Sequence, residues 1–159
     1  MTIADPESVA ACFDAGVGAD VTLMAGAKYD RNHGEPVPLD ARVRLLSDGR
    51  YTHSGSYMTG MRVDMGRTAV VAAGGVDVVL MERKAMPFDA HQLLSQGIVP
   101  STRNIIVVKS AIAWKAAYGD VARSIITVDT PGACTSNVHA IPYQVRPAMY
   151  PLEDVHYGE

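Results

Sequence analysis

A chain of 159 residues and 17.0 kDa has the length of one compact domain, able to bury roughly two-thirds of the surface that its unfolded form exposes. Hydrophobic residues at 48% and charged residues at 19% exclude the composition of a disordered chain. A net charge of −3, with Lys and Arg scattered, excludes the basic footprint of a nucleic-acid binder. No run approaches the roughly 18 apolar residues of a membrane span, and MTIADPESVA has no signal-like pattern, so the expected location is cytoplasmic.

Asp5 followed by Pro6 reads as an N-cap and first helical position. Val9, Cys12 and Phe13 then share one face before Gly16, which predicts a short amphipathic helix over 6–15. The segment VTLMAGAK, 21–28, predicts a strand, and the polar stretch around His33, with Asn32, Gly34 and Pro36, a surface loop. From Val37 to Tyr51, Leu39, Ala41, Val43 and Leu45 alternate with Asp40, Arg42 and Arg44, the period of two of a half-buried strand. The turn signal SDGR predicts a hairpin into YTHSGSY. RTAVVAAGG and VDVVLMERK are β-branched runs on either side of Gly74 and Gly75, and they predict another hairpin.

The second half changes character. PFDAHQLLSQG predicts a helix ended by Gly97, NIIVVKS a buried strand, AIAWKAAYGDVAR a helix over 111–123, and SIITVD a further buried strand. That order favours a parallel βαβ unit. Pro131, Pro142, Pro147 and Pro151 make the tail from about residue 130 irregular. The fold expected is mixed α+β (α/β), with residues 1–159 as a single domain. A hairpin-rich antiparallel first half and a βαβ second half share one core.

Motifs with chemistry are sparse. His33, His53, His91, His139 and His156 lie far apart and outside HExxH spacing, so a zinc site would need convergence in space, for instance of His53 with Asp64. Cys12 and Cys134 form no CxxC and read as buried or idle thiols. There is no GxSxG elbow, and the glycines of VAAGGVD form no GxGxxG. Lys109 and Ser110 end the strand NIIVVKS just before a helix, where α/β sheets tend to bind ligands and helix N–H groups receive anions. A plain N-cap at Ser110 and a surface lysine at 109 are the bland reading. Asp129 ends the next strand at the same sheet edge, either to face Lys109 or to form a turn before Thr130. Arg83, beside Lys84, is either a basic rim or a solvated strand end. The candidate substrate-binding residues are thus Lys109, Ser110, Arg83 and Asp129. No catalytic group and no metal ligand is assigned.

Taken together, DPESVAACFDAGVGADVTL, GRTAVVAAGGVDVVLMERK with PFD, IIVVKSAIAWKAAYGDVARSIITVDTPGACT and YPL resemble, in order and spacing, the C-terminal domain of the MlrC family, peptidases named for degrading linearised microcystin. The resemblance implies a hydrolase in which zinc polarises a peptide carbonyl and activates a water. Its aspartate and histidine ligands belong to a larger N-terminal domain. Those ligands have no counterpart here, nor does a segment similar to DNPGGGSPGD, so no zinc is expected on this chain alone. The partners implied are a catalytic N-terminal domain, on the same or another chain, and a peptide substrate. A non-catalytic assembly module that forms homo-oligomers or binds another protein is the alternative. Two departures stand out: GAKYDRNHGEP occupies the place of a GGK-type stretch, and QVRPAMYPLED only loosely follows the family's ending.

Overall fold

Asp5 sets the first element. Its carboxylate accepts the Ser8 N–H at 3.1 Å from the N-cap position, and Pro6 occupies the first turn, where its missing N–H costs nothing. The helix so started, α1 (Pro6–Ala15), buries Val9 and Cys12 and ends at Gly16, whose φ of 84° suits a residue without a Cβ. The computed structural model describes residues 1–29, 32, 34–110, 114–130, 137–144, 148, 150, 153 and 154. The loop expected around His33 and Cys134 lie in part or wholly outside them.

Among the described residues the chain forms seven strands: β1 (Thr2–Ala4), β2 (Asp20–Ala25), β3 (Val37–Ser47), β4 (Arg50–Thr52), β5 (Arg62–Asp64), β6 (Thr68–Ala73) and β7 (Val76–Met81). Five form one sheet in the order β1-β7-β6-β3-β2, antiparallel except for the parallel β1–β7 pair. The β6–β7 hairpin turns at Gly74, with φ 56°, as its two glycines predict. In β3 the pairing shifts between Val43 and Leu45. The bulge at Arg44 lets Val43 face α1 while Leu45 turns to the opposite face.

Each face of the sheet therefore has its own cover. On one side Val9 and Cys12 of α1 pack against Leu23, Ala41, Val43, Ala69, Val71, Val78 and Leu80. Full burial of such side chains contributes roughly 1.5–3 kcal/mol each. On the other side Val70 and Val79 receive Leu93, Ile98 and Tyr118 from the second half of the chain. A third cluster joins Tyr51, Met65 and Met81.

Two expectations need correction. The hairpin at SDGR does not form: β4 leaves the main sheet and pairs with β5 instead. Local side-chain bonds explain the exit, because Asp48 accepts the Arg50 N–H at 3.1 Å and Ser47 Oγ accepts the Gly49 N–H at 3.3 Å, replacing ladder bonds. The βαβ unit is likewise not seen among the described residues: 104–110 and 124–130 join no ladder. Ile106 and Val108 lie instead against the second core cluster, over a face of the sheet rather than at its edge.

The helices of the second half are short. PFDAHQLLSQG gives α2 (His91–Leu94), closed where the Ile98 N–H reaches Leu93 O and the Gly97 N–H reaches Leu94 O, both at 3.0 Å. With φ 71° at Gly97 this is a Schellman ending, and Leu93 and Ile98 share one cluster, as that motif favours. Helix α3 is Trp114–Tyr118, and the first three residues of the helix expected over 111–123 lie outside the described residues. The chain divides into two compact units, Met1–Ile125 and Ile126–Glu159. Within the second, Val138–Ala140 forms a single 3₁₀ turn. The mixed α+β class and the antiparallel, hairpin-rich first half are as expected.

Candidate functional site

Lys109 is exposed and Ser110 half-buried, at the end of the extended segment that begins at Asn104. Arg83 leaves β7 with its N–H on Met65 O at 2.8 Å, and its Nη1 lies 2.9 Å from Asp64 Oδ2, which Arg50 Nε also approaches at 3.6 Å. The Gly66 N–H first, with Arg83 and Arg50 after it, outweighs the desolvation of the Asp64 carboxyl and holds it below its usual range. Arg83 is thus committed to the β4–β5 hairpin, and Asp64 is taken up by arginines rather than by His53. Asp129, in the second unit, accepts from Asn137 Nδ2 at 3.4 Å, a polar turn contact.

The densest polar constellation centres on Asp89, whose role the sequence reading missed. This aspartate is 2% exposed and sits two residues before α2. One carboxylate oxygen accepts the His91 N–H at 2.7 Å. The other accepts the N–H groups of Ser54 and Gly55 at 2.9 and 2.7 Å. A Cβ on Gly55 would stand 3.1 Å from that oxygen, a tight contact that the bare backbone of glycine avoids. Burial pushes the Asp89 carboxyl up, but the N–H bonds from His91, Gly55 and Ser54, with nearby His53, outweigh it and hold it below the usual range. An aspartate just ahead of a helix was visible in PFDAHQ. That its other oxygen would clamp a loop 34 residues upstream was not readable from spacing.

Serine, histidine and aspartate meet here without forming a nucleophilic triad. Ser54 Oγ lies 2.7 Å from His91 Nδ1, and Asp89 Oδ1 lies 3.4 Å from that same nitrogen. A relay needs the base to touch the nucleophile with one ring nitrogen and its orienting carboxylate with the other, so this arrangement tethers a loop to a helix. Cys12 is no better a nucleophile: burial first, and Asp5 second, push its thiol up.

Beneath the clamp, Tyr51 and His53 stack at 5.7 Å and 15°, and His53 Nδ1 meets Tyr57 O at 3.3 Å. Tyr51 Oη, His53 Nε2 and Gln92 Oε1 are buried with no hydrogen-bond partner among the described residues. Tyr51 and Tyr118 are both pushed up to about 12, by burial first and then by Asp89 and, for Tyr118, also Tyr51.

With this geometry in view, comparison with known proteins decides the family. The model described as "MlrC C-terminus" matches residues 1–145. This chain belongs to the MlrC C-terminus family. It is 29% identical over 151 residues to Microcystinase C of Sphingomonas sp, a match covering 95% of this chain and 28% of that protein. A crystal structure of a Mesorhizobium sp. BNC1 protein, described as a metallopeptidase, superposes with a TM-score of 0.84 at 29% identity, over 99% of this chain and 32% of that one. The chain thus spans about a third of the length of these relatives.

The description of the mesorhizobial protein implies a metal. Among the described residues no three His, Cys, Asp or Glu side chains are placed to share an ion. Asp89, His53 and His91 do not make such a set, and both Asp89 oxygens already accept backbone N–H groups. Among the described residues no helix is long and apolar enough to cross a membrane.

Lys28 Nζ reaches Asp5 Oδ1 at 2.9 Å, and Gly26 N–H reaches Asp5 Oδ2 at 3.0 Å, so the chain between them must turn sharply. The turn places Ala27 at φ 53°, in the left-handed region that favours glycine.

Proposed function

We propose that this chain is the C-terminal domain of an MlrC-type, zinc-dependent metallopeptidase, and that it contributes to peptide hydrolysis by holding substrate or docking to a catalytic domain. The observation that carries the reading is family membership over residues 1–145, in a chain that spans 28% of Microcystinase C and 32% of the mesorhizobial metallopeptidase.

In this reading Lys109, exposed beside Ser110 at the end of an apolar extended segment, offers a cation to a substrate carboxylate or to an acidic group of the catalytic domain. Arg83 and Asp129 are secondary, the first because Asp64 neutralises it, the second because Asn137 already occupies it. The cytoplasm is the proposed location.

Elemental analysis and a peptidase assay with and without added zinc test the reading. The chain alone is expected to carry far less than one zinc and to leave peptides intact. Joined to the remainder of the mesorhizobial metallopeptidase, in place of the third that it matches, it is expected to restore metal and turnover. Stoichiometric zinc and turnover by the chain alone would overturn the reading.

A further inference from the structure

The most β-branched runs of the second half are the two that form no strand. In Asn104–Ser110 the side chains alternate as in a strand: Ile106 and Val108 turn to the Val70–Val79 cluster, whereas Ile105 and Val107 are 82% and 53% exposed. Arg103 Nη1 fixes the start of the segment to Asp77 Oδ2 at 2.9 Å. In Ser124–Thr130 every residue is exposed, with Ile125, Ile126 and Val128 at 58%, 85% and 70%. A run apolar on both faces suits a strand buried on both faces. Extended apolar segments outside any ladder, with no proline or bulge to blunt their edges, invite a neighbouring strand.

We infer that Asn104–Ser110 and Ser124–Thr130 are strands awaiting neighbours, and that the part of the MlrC polypeptide represented in the longer relatives but not in this chain supplies them. The inference rests on the reading that the domain works with that part. The relatives carry it: some two-thirds of each lies beyond the match, which takes 28% and 32% of them. A second copy of this chain fits less well. Antiparallel self-pairing centred on Val107 sets Lys109 against Ile105, and parallel in-register pairing sets Lys109 against Lys109, both unfavourable neighbours across a ladder.

Amide hydrogen exchange tests this on the chain alone and on the chain joined to the remainder of the mesorhizobial metallopeptidase. The amides of β6 and β7 report in both samples that the domain stays folded. Alone, amides 105–108 and 125–128 are expected to exchange at nearly the unstructured rate; joined, they slow by at least about 100-fold. Ile105→Asp leaves the unfolding midpoint of the chain alone unchanged, because its side chain is 82% exposed, but removes the protection in the joined protein. Fast exchange in a joined protein that holds zinc and cleaves peptide overturns the strand pairing and leaves the proposed function standing. Fast exchange with neither metal nor turnover removes both. Protection that appears in the chain alone and grows with its concentration identifies a second copy as the neighbour and also overturns the inference.

Discussion

Asp89 and Gly55 are 34 positions apart in sequence, yet the Gly55 N–H donates to Asp89 Oδ2 at 2.7 Å, and a Cβ at position 55 would press on that oxygen at 3.1 Å. The same carboxylate takes the N–H of Ser54 and of His91, so one buried side chain ties the β4–β5 loop to the start of α2. Replacing Asp89 by Ala strands three backbone donors. Each costs about 1–3 kcal/mol if it stays buried and less where the loop opens to water. A destabilisation of about 3 kcal/mol is expected from urea unfolding, with Asp89→Asn between it and the native protein. A loss below about 1 kcal/mol would mean that the loop holds itself.

Asp5 has the same architecture at the other end of the domain, with Lys28, Ser8 and Gly26 on its two oxygens. Burial raises its carboxyl, and the bond from Lys28 followed by those from Ser8 and Gly26 outweighs burial, so the folded pKa lies below the reference 3.8. A depressed carboxyl pKa contributes stability that is fully present above 3.8 and is lost as pH falls through the folded value. The stability gap between the native protein and Asp5→Asn should therefore stay constant from pH 7 to about pH 4 and close below it. Asp89→Asn should behave alike, its carboxyl being lowered from the same reference. A gap already shrinking near pH 6 would implicate another group.

Ala27 carries backbone strain that a glycine would avoid, its φ being 53°. An L-residue in the left-handed region costs about 1–2 kcal/mol, partly offset in glycine by a greater loss of chain entropy on folding. Ala27→Gly should therefore raise stability by about 0.5–1 kcal/mol. The opposite change at Gly49, where φ is 68° and an added Cβ would collide with Gly66 O, should destabilise strongly. Chemical denaturation of both variants reads the two signs, and a destabilised Ala27→Gly would refute the account of the turn.

Local chemistry made much of the first half legible. Asp5–Pro6 and Gly16 bounded α1, two-residue alternation marked β3, and Gly74–Gly75 marked the β6–β7 hairpin. Pairing was less legible, because it depends on what lies beside a strand. SDGR is a sound turn signal, but Asp48 and Ser47 use it to leave the sheet. NIIVVKS and SIITVD have strand composition without a ladder among the described residues. The candidate residues show the same division. Arg83 was recognisable as a charge at a strand end, but its partner Asp64 lies 19 residues away in sequence and became its neighbour only through the β4–β5 hairpin. The Asp89 clamp was invisible for that reason too, since an aspartate just ahead of a helix does not reveal the loop its second oxygen will hold.

Tyr51 offers a test in which removing a polar atom should help. Its Oη is buried with no hydrogen-bond partner among the described residues, while its ring packs with Met65 and Met81 and stacks on His53 at 5.7 Å. Tyr51→Phe keeps the ring and deletes an unsatisfied hydroxyl, so stability at pH 7 should stay level or rise by up to about 1 kcal/mol. Alkali should widen the difference. Burial first, and Asp89 second, push the Tyr51 hydroxyl up from 10.0 to about 12. The neutral phenol is thus the form that the fold favours: its contribution is complete below pH 10.0 and is lost as pH rises through about 12, a loss the phenylalanine variant does not suffer. Denaturation curves at pH 7 and across pH 10 to 12 would show the variant drawing ahead. A loss of about 2 kcal/mol at pH 7 would instead mean that the hydroxyl has a bonding partner in solution.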